Sequence, residues 1–256
     1  MKKIVLAALV IVASPALVYG DSCRYEKEIA FSVDADAAQN LLLDVGAGEL
    51  TVRGNANSNE IVVSAVACAS SRGRLDDLEV QYRSRGSNIE IFTEFHDTRR
   101  FFSWWGTGNS HIDIDMLVPA GLSLEVDDGS GSVDIANVSK LKMEDGSGSL
   151  VISDIAGDVF IDDGSGDIQV SNVSGLVSVE DGSGDMRIVG SSAIHIIDDG
   201  SGGIRITDID QNVYIEDDGS GDIDIRNVGG DVEIEDGGSG SLNVNNVAGT
   251  YYSGGG

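Results

Sequence analysis

The residues best placed to do chemistry are aspartates that return at a fixed interval. Asp-Gly-Ser-Gly occurs at Asp128, Asp145, Asp163, Asp181, Asp199 and Asp218, and Asp236-Gly237-Gly238-Ser239-Gly240 closes the series. Four of these corners carry paired aspartates: Asp127/Asp128, Asp162/Asp163, Asp198/Asp199 and Asp217/Asp218. Carboxylates stacked at the ~4.8 Å spacing of neighbouring strands would offer oxygens to calcium, a hard cation that takes about six to eight such ligands. The competing reading is that they are solvated turn residues. Screening confines their mutual repulsion mostly to nearest neighbours, so such an edge stays tolerable and soluble.

Two further groups could bind a partner. Phe160, Ser178, His195 and Tyr214 fall at equivalent places in successive repeats, between Lys142 and Glu233. A ridge of that kind can hold a sugar or a protein by stacking and hydrogen bonding; the plainer alternative is chance exposure or cover by a loop. Phe101, Phe102, Trp104 and Trp105, preceded by Arg99-Arg100, form the dense aromatic cluster of the chain. They read either as a membrane-interface or protein anchor, or as a plug folded over the scaffold. The flanking segments Ile89 to Phe95 and Ile112 to Val118 suggest that the cluster is a hairpin tip.

Catalysis finds little support. His96, His111 and His195 are dispersed without metal-ligand spacing, and the serines of the Gly-Ser-Gly turns have no paired base in sequence. Paired aspartates could serve a polysaccharide-active solenoid enzyme, but these pairs are copies of one repeated corner and not a unique constellation. No catalytic residue is assigned.

The elements that must position these residues are written in the repeat itself. Serines 130, 147, 165, 183, 201, 220 and 239 lie 17, 18, 18, 18, 19 and 19 residues apart, so one repeat makes about one solenoid turn. Apolar and polar residues alternate within it, as in Ile168-Gln169-Val170 and Val177-Ser178-Val179, which means strands with one buried face. A half-period of nine gives two strands and two corners per turn. One corner is Asp-Gly-Ser-Gly, with no side chain to bury; the other is Asn/Asp followed by Val or Ile, which fills the interior. An antiparallel meander would alternate similarly but would leave its whole apolar face open to water, whereas coiling closes two faces over a thin core. The fold expected is an all-β parallel β-solenoid (β-helix) of about 18-residue turns over 127–256. An irregular β-rich N-terminal cap region with the first turns covers 21–126, where Asp44 to Val52 looks like a divergent repeat.

The first twenty residues read as a signal peptide: Lys2-Lys3, an apolar run from Ile4 to Val12, and a small-residue exit at Gly20. In an exported chain Cys23 and Cys68 are expected to pair as a disulfide. The formal charge is −27, and losing Lys2 and Lys3 with the leader would make it −29. That excludes nucleic acid as a partner, because phosphate neutralisation needs a basic stripe. No transmembrane span is expected once the leader is removed, and the compartment is periplasm, cell surface or medium.

Leu42-Leu43-Asp44-Val45-Gly46-Ala47-Gly48-Glu49-Leu50-Thr51-Val52, Met116-Leu117-Val118-Pro119-Ala120-Gly121 and the Gly-Ser-Gly turns resemble a bacterial family of exported β-solenoid proteins of unknown function labelled "putative adhesin". The resemblance implies solenoid architecture, an envelope location and a non-enzymatic, adhesin-like binding scaffold for a protein or glycan surface. A calcium-stabilised structural solenoid is the alternative function.

Overall fold

The structure is a computed structural model that describes residues 23–95 and 110–254. It is an all-β solenoid of about seven turns with a mixed sheet at its N-terminal end. The expected leader and the Phe101, Phe102, Trp104 and Trp105 cluster lie outside the described residues.

Coiling follows from strands too short and too evenly patterned to bury themselves alone. Each lays its apolar face inward and pairs in parallel with its copy one turn away. One inward column runs Leu124, Leu141, Val159, Val177, Ile194, Val213, Val232, Tyr251. The facing sheet supplies Val133, Leu150, Ile168, Met186, Ile204, Ile223 and Leu242. These side chains are buried up to the last turn, each contributing about 1.5–3 kcal/mol. In that turn Leu242 and Tyr251 are exposed because no further described strand covers them.

Both corners are set by backbone conformation. At the Val/Ile corner Asn137, Asp154, Asn172, Asp208, Asn227 and Asn246 all hold φ between 56 and 62°. This is the left-handed region that asparagine and aspartate tolerate best among residues with a side chain. Their side chains then bond turn to turn: Asn172 Nδ2 donates to Asp154 Oδ1 at 3.1 Å, and Asn246 Nδ2 to Asn227 Oδ1 at 2.7 Å. At the other corner backbone packs on backbone, with the N–H of Gly164 donating to the carbonyl of Asp145 at 2.9 Å and that of Gly182 to Asp163 at 2.9 Å.

The divergent repeat near the start is a full rung. Asn40–Ala47 pairs in parallel with Ser123–Ser130, and Leu50–Asn55 with Val133–Ala136. The chain between these rungs continues the other edge of the first one. Asn88–Phe95 pairs in parallel with Asn40–Ala47 and antiparallel with Leu78–Arg85. Ser110–Pro119 pairs in parallel with Leu50–Asn55 and antiparallel with Glu60–Ala69, which also pairs with Tyr25–Asp34. The first rung therefore presents no open edge there. Among the described residues Asn88–Phe95 and Ser110–Pro119 pair with different strands and not with each other as the flanks of a hairpin; each takes one side from a rung edge, and the tip itself lies outside the described residues.

Cys23 and Cys68 form a disulfide that ties the first strand to Glu60–Ala69 across 45 residues. Closing a loop of that length stabilises by about 4 kcal/mol on the chain-entropy account. No helix among the described residues is long and apolar enough to cross a membrane.

Candidate functional site

The acid corner divides into two columns, set by the strand alternation from Asp128 to Asp181 and kept in register at Asp199 and Asp218 by a one-residue bulge. The first acid of each corner points outward and is exposed: Asp127, Glu144, Asp162, Glu180, Asp198, Asp217 and Asp236. The second points inward. Asp128, Asp145, Asp163, Asp181, Asp199 and Asp218 lie directly over one another in parallel register and are only 0–6% exposed. This corrects the expectation that the Asp-Gly corner has no side chain to bury. It also adds Asp145 and Asp181, whose outward neighbours are glutamates, to the inward members of the four pairs.

In three of the inward carboxyls one oxygen is used to shape the turn. The backbone N–H of Ser147, Ser165 and Ser183 donates to Oδ1 of Asp145, Asp163 and Asp181 at 3.3, 3.2 and 3.1 Å. Oδ2 of Asp128, Asp145, Asp163 and Asp181, and both oxygens of Asp199 and Asp218, are buried without a hydrogen bond. Burial disfavours the charged form. It pushes Asp128 and Asp163 up to about 7, and Asp181, Asp199 and Asp218 up to about 6, with neighbouring carboxylates adding to the rise. Asp145 is raised by burial as well.

The calcium candidates Asp127, Asp128, Asp162, Asp163, Asp198, Asp199, Asp217 and Asp218 are thus placed four outside and four inside. Among the described residues no three His, Cys, Asp or Glu side chains come together in a group that could hold a metal ion. Much of the remaining acidity joins turn to turn. Asp158, Asp167, Asp185, Asp222 and Asp231 accept the backbone N–H of Leu176, Asp185, Gly203, Ser241 and Thr250 in the following turn, at 2.6–3.2 Å.

The outward row on the strands of the Leu124-to-Tyr251 column is continuous. Lys142, Phe160, Ser178, His195, Tyr214 and Glu233 pair in sequence, one per turn. Phe160 is 48% exposed, Ser178 is covered at 5%, and His195 stacks on Tyr214 with ring centroids 5.1 Å apart. A register shift inserts one extra residue, Ile197, after Ile196, and its equivalents in the next turns are Glu216 and Glu235. Such a bulge re-aims side chains. Here each glutamate reaches back one turn: His195 Nε2 lies 2.6 Å from Glu216 Oε1, and Tyr214 Oη donates to Glu235 Oε1 at 2.5 Å. That bond pushes the Tyr214 phenol up to about 12. Glu216 and Glu235 escape a reading of the repeat by parity alone; their trace in the sequence is the lengthening of the serine spacing from 18 to 19.

A protein-family model described as Toastrack DUF4097 matches residues 38–250. Among solved structures, one titled a "putative cell adhesion protein" from Clostridium sporogenes aligns at 13% identity over 86% of this chain and 99% of its own, with a TM-score of 0.41. A "putative lipid binding protein" from Parabacteroides distasonis aligns at 14% identity over 88% and 96%, with a TM-score of 0.40. A "putative adhesin" from Bacteroides fragilis aligns at 13% over 88% and 96%, with a TM-score of 0.36. No curated protein matches.

Proposed function

The chain belongs to the Toastrack DUF4097 family, and from that premise we propose that it is a non-enzymatic, exported envelope protein whose solenoid is an adhesion-type scaffold for a protein or glycan surface. The observation that carries this reading is the outward row from Lys142 to Glu233. It sets Phe160, His195 and Tyr214 in line on a rigid sheet, with two of the rings held by carboxylates one turn away. Aromatic side chains already fixed in place lose little entropy on binding and dominate contact energies. The Cys23–Cys68 disulfide supports an oxidising compartment, in line with the leader-like first twenty residues. With a net charge of −27, the chain would favour a neutral or cationic partner surface over an anionic one.

The test is attachment of the purified chain to isolated bacterial envelopes. Phe160→Ala combined with Tyr214→Ala should cut apparent affinity at least about tenfold, the scale expected for two aromatic anchors, while leaving the melting temperature within a few degrees. Attachment within twofold of the unsubstituted chain would remove the row as the contact surface.

A further inference from the structure

We propose that the inward aspartates Asp128, Asp145, Asp163, Asp181, Asp199 and Asp218 form a ladder of carboxylic acids whose ligand is the proton, shared between successive turns, and that losing these protons loosens the repetitive segment. The inference concerns the scaffold and does not depend on the contact surface proposed above.

A charged column would need cations to compensate it. Eight carboxyl oxygens are buried without a partner, all of them in this column, and no Lys, Arg or His is found among the buried residues described. Native proteins rarely leave such atoms unpaired, so each needs an occupant or a proton. The charged groups acting on the column are acidic too: Asp127 beside Asp128, Asp185 and Asp198 beside Asp199, and Asp217 and Asp236 beside Asp218. A full set of carboxylates would therefore meet repulsion from its own column and from the outer one.

Of the cations that could fill the column, the proton fits the donor set. Calcium takes about six to eight oxygens, whereas each gap between turns is flanked by two carboxyls, and in Asp145, Asp163 and Asp181 one oxygen already accepts a serine N–H. A proton needs only two oxygens. Parallel register sets the carboxyls about 4.8 Å apart, and a carboxyl with its two oxygens along the stacking direction would shorten that gap toward the ~2.6 Å of an O–H···O bond. Protonated aspartate would then do what asparagine does at the opposite corner, where Asn246 donates to Asn227.

Burial raises the folded-state values of Asp128, Asp163, Asp181, Asp199 and Asp218 from 3.8 to about 6 or 7, and raises that of Asp145 as well. Their stabilising contribution is complete below about pH 4 and is lost as pH rises through about 6 to 7.

Thermal unfolding of the disulfide-intact chain, followed from pH 4.5 to 8.5 in chelator, tests this. The melting temperature should fall by about 10 °C or more over that range. Asp163→Asn with Asp181→Asn supplies amide donors without needing protons, so the variant should melt higher than the unsubstituted chain at pH 8.5 and show a shallower pH slope. Asp162→Asn with Glu180→Gln, on the outer column, should leave the slope nearly unchanged. If the inner variant fails to fold, the infrared band of protonated carboxyls in the unsubstituted chain decides, present at pH 5 and lost by pH 8.5. A melting temperature independent of pH, absence of that band at pH 5, or calcium restoring the pH 8.5 loss only while the inner aspartates are intact would overturn the proposal.

Discussion

Replacing Gly166 by alanine should severely destabilise the solenoid. A Cβ at this position would sit 1.5 Å from the carbonyl oxygen of Gly148 in the preceding turn, and the residue holds φ at +144°, where an L side chain is strained. Neither partner can yield, because both are backbone and the same contact recurs at Gly148 on Gly131 and at Gly184 on Gly166. The cost should exceed about 4 kcal/mol, a large share of the 5–15 kcal/mol that holds a typical domain together. Gly121→Ala is the control: nothing lies within 4 Å of its added Cβ, so it should change stability by no more than about 0.5 kcal/mol. Urea unfolding of the two variants measures both. A folded Gly166→Ala with near-original stability would mean that the turns are not packed backbone on backbone.

The second large effect separates two adjacent residues. Ile152 is fully buried between Ile135 and Val170, while Val151 is 39% exposed between Asp134 and Gln169. Ile152→Asn removes apolar burial and places an amide where no inward neighbour can bond it, costing about 4 kcal/mol or more. Val151→Asn should cost about 1 kcal/mol at most, the range of strand propensity. A one-residue step thus changes the outcome from loss of the fold to a small shift, again by urea unfolding. Equal effects at the two positions would contradict a strand with one wet and one dry face.

The scaffold was legible because its rule is local and repeated. Period two marks Ile152, Ile168 and Ile206 as inward, and the serine interval sets which strand lies over which. The same parity carries Asp163 inward after Ile161, yet an aspartate beside glycine reads most simply as a wet turn, and burial of its carboxyl shows only when the neighbouring turns are in place. The bonds from Glu216 to His195 and from Glu235 to Tyr214 depend on a bulge, which breaks the parity that made the rest readable. The N-terminal pairings were hidden for another reason. Asn88–Phe95 and Ser110–Pro119 are placed by the open edges of a rung formed forty or more residues earlier, and no local pattern encodes that choice.

The acid ladder and the aromatic row both require parallel stacking one turn apart, and cysteine cross-linking tests it most directly. Gln169 and Arg187 are register partners on the outward face, far apart in a hairpin meander but neighbours in the coil. Gln169→Cys with Arg187→Cys should oxidise to an intramolecular disulfide in the folded chain, since neighbouring strands set Cα atoms within the span a disulfide bridges. Failure to cross-link in a chain that is folded, with both thiols reactive to alkylation, would contradict the coil and the columns built on it.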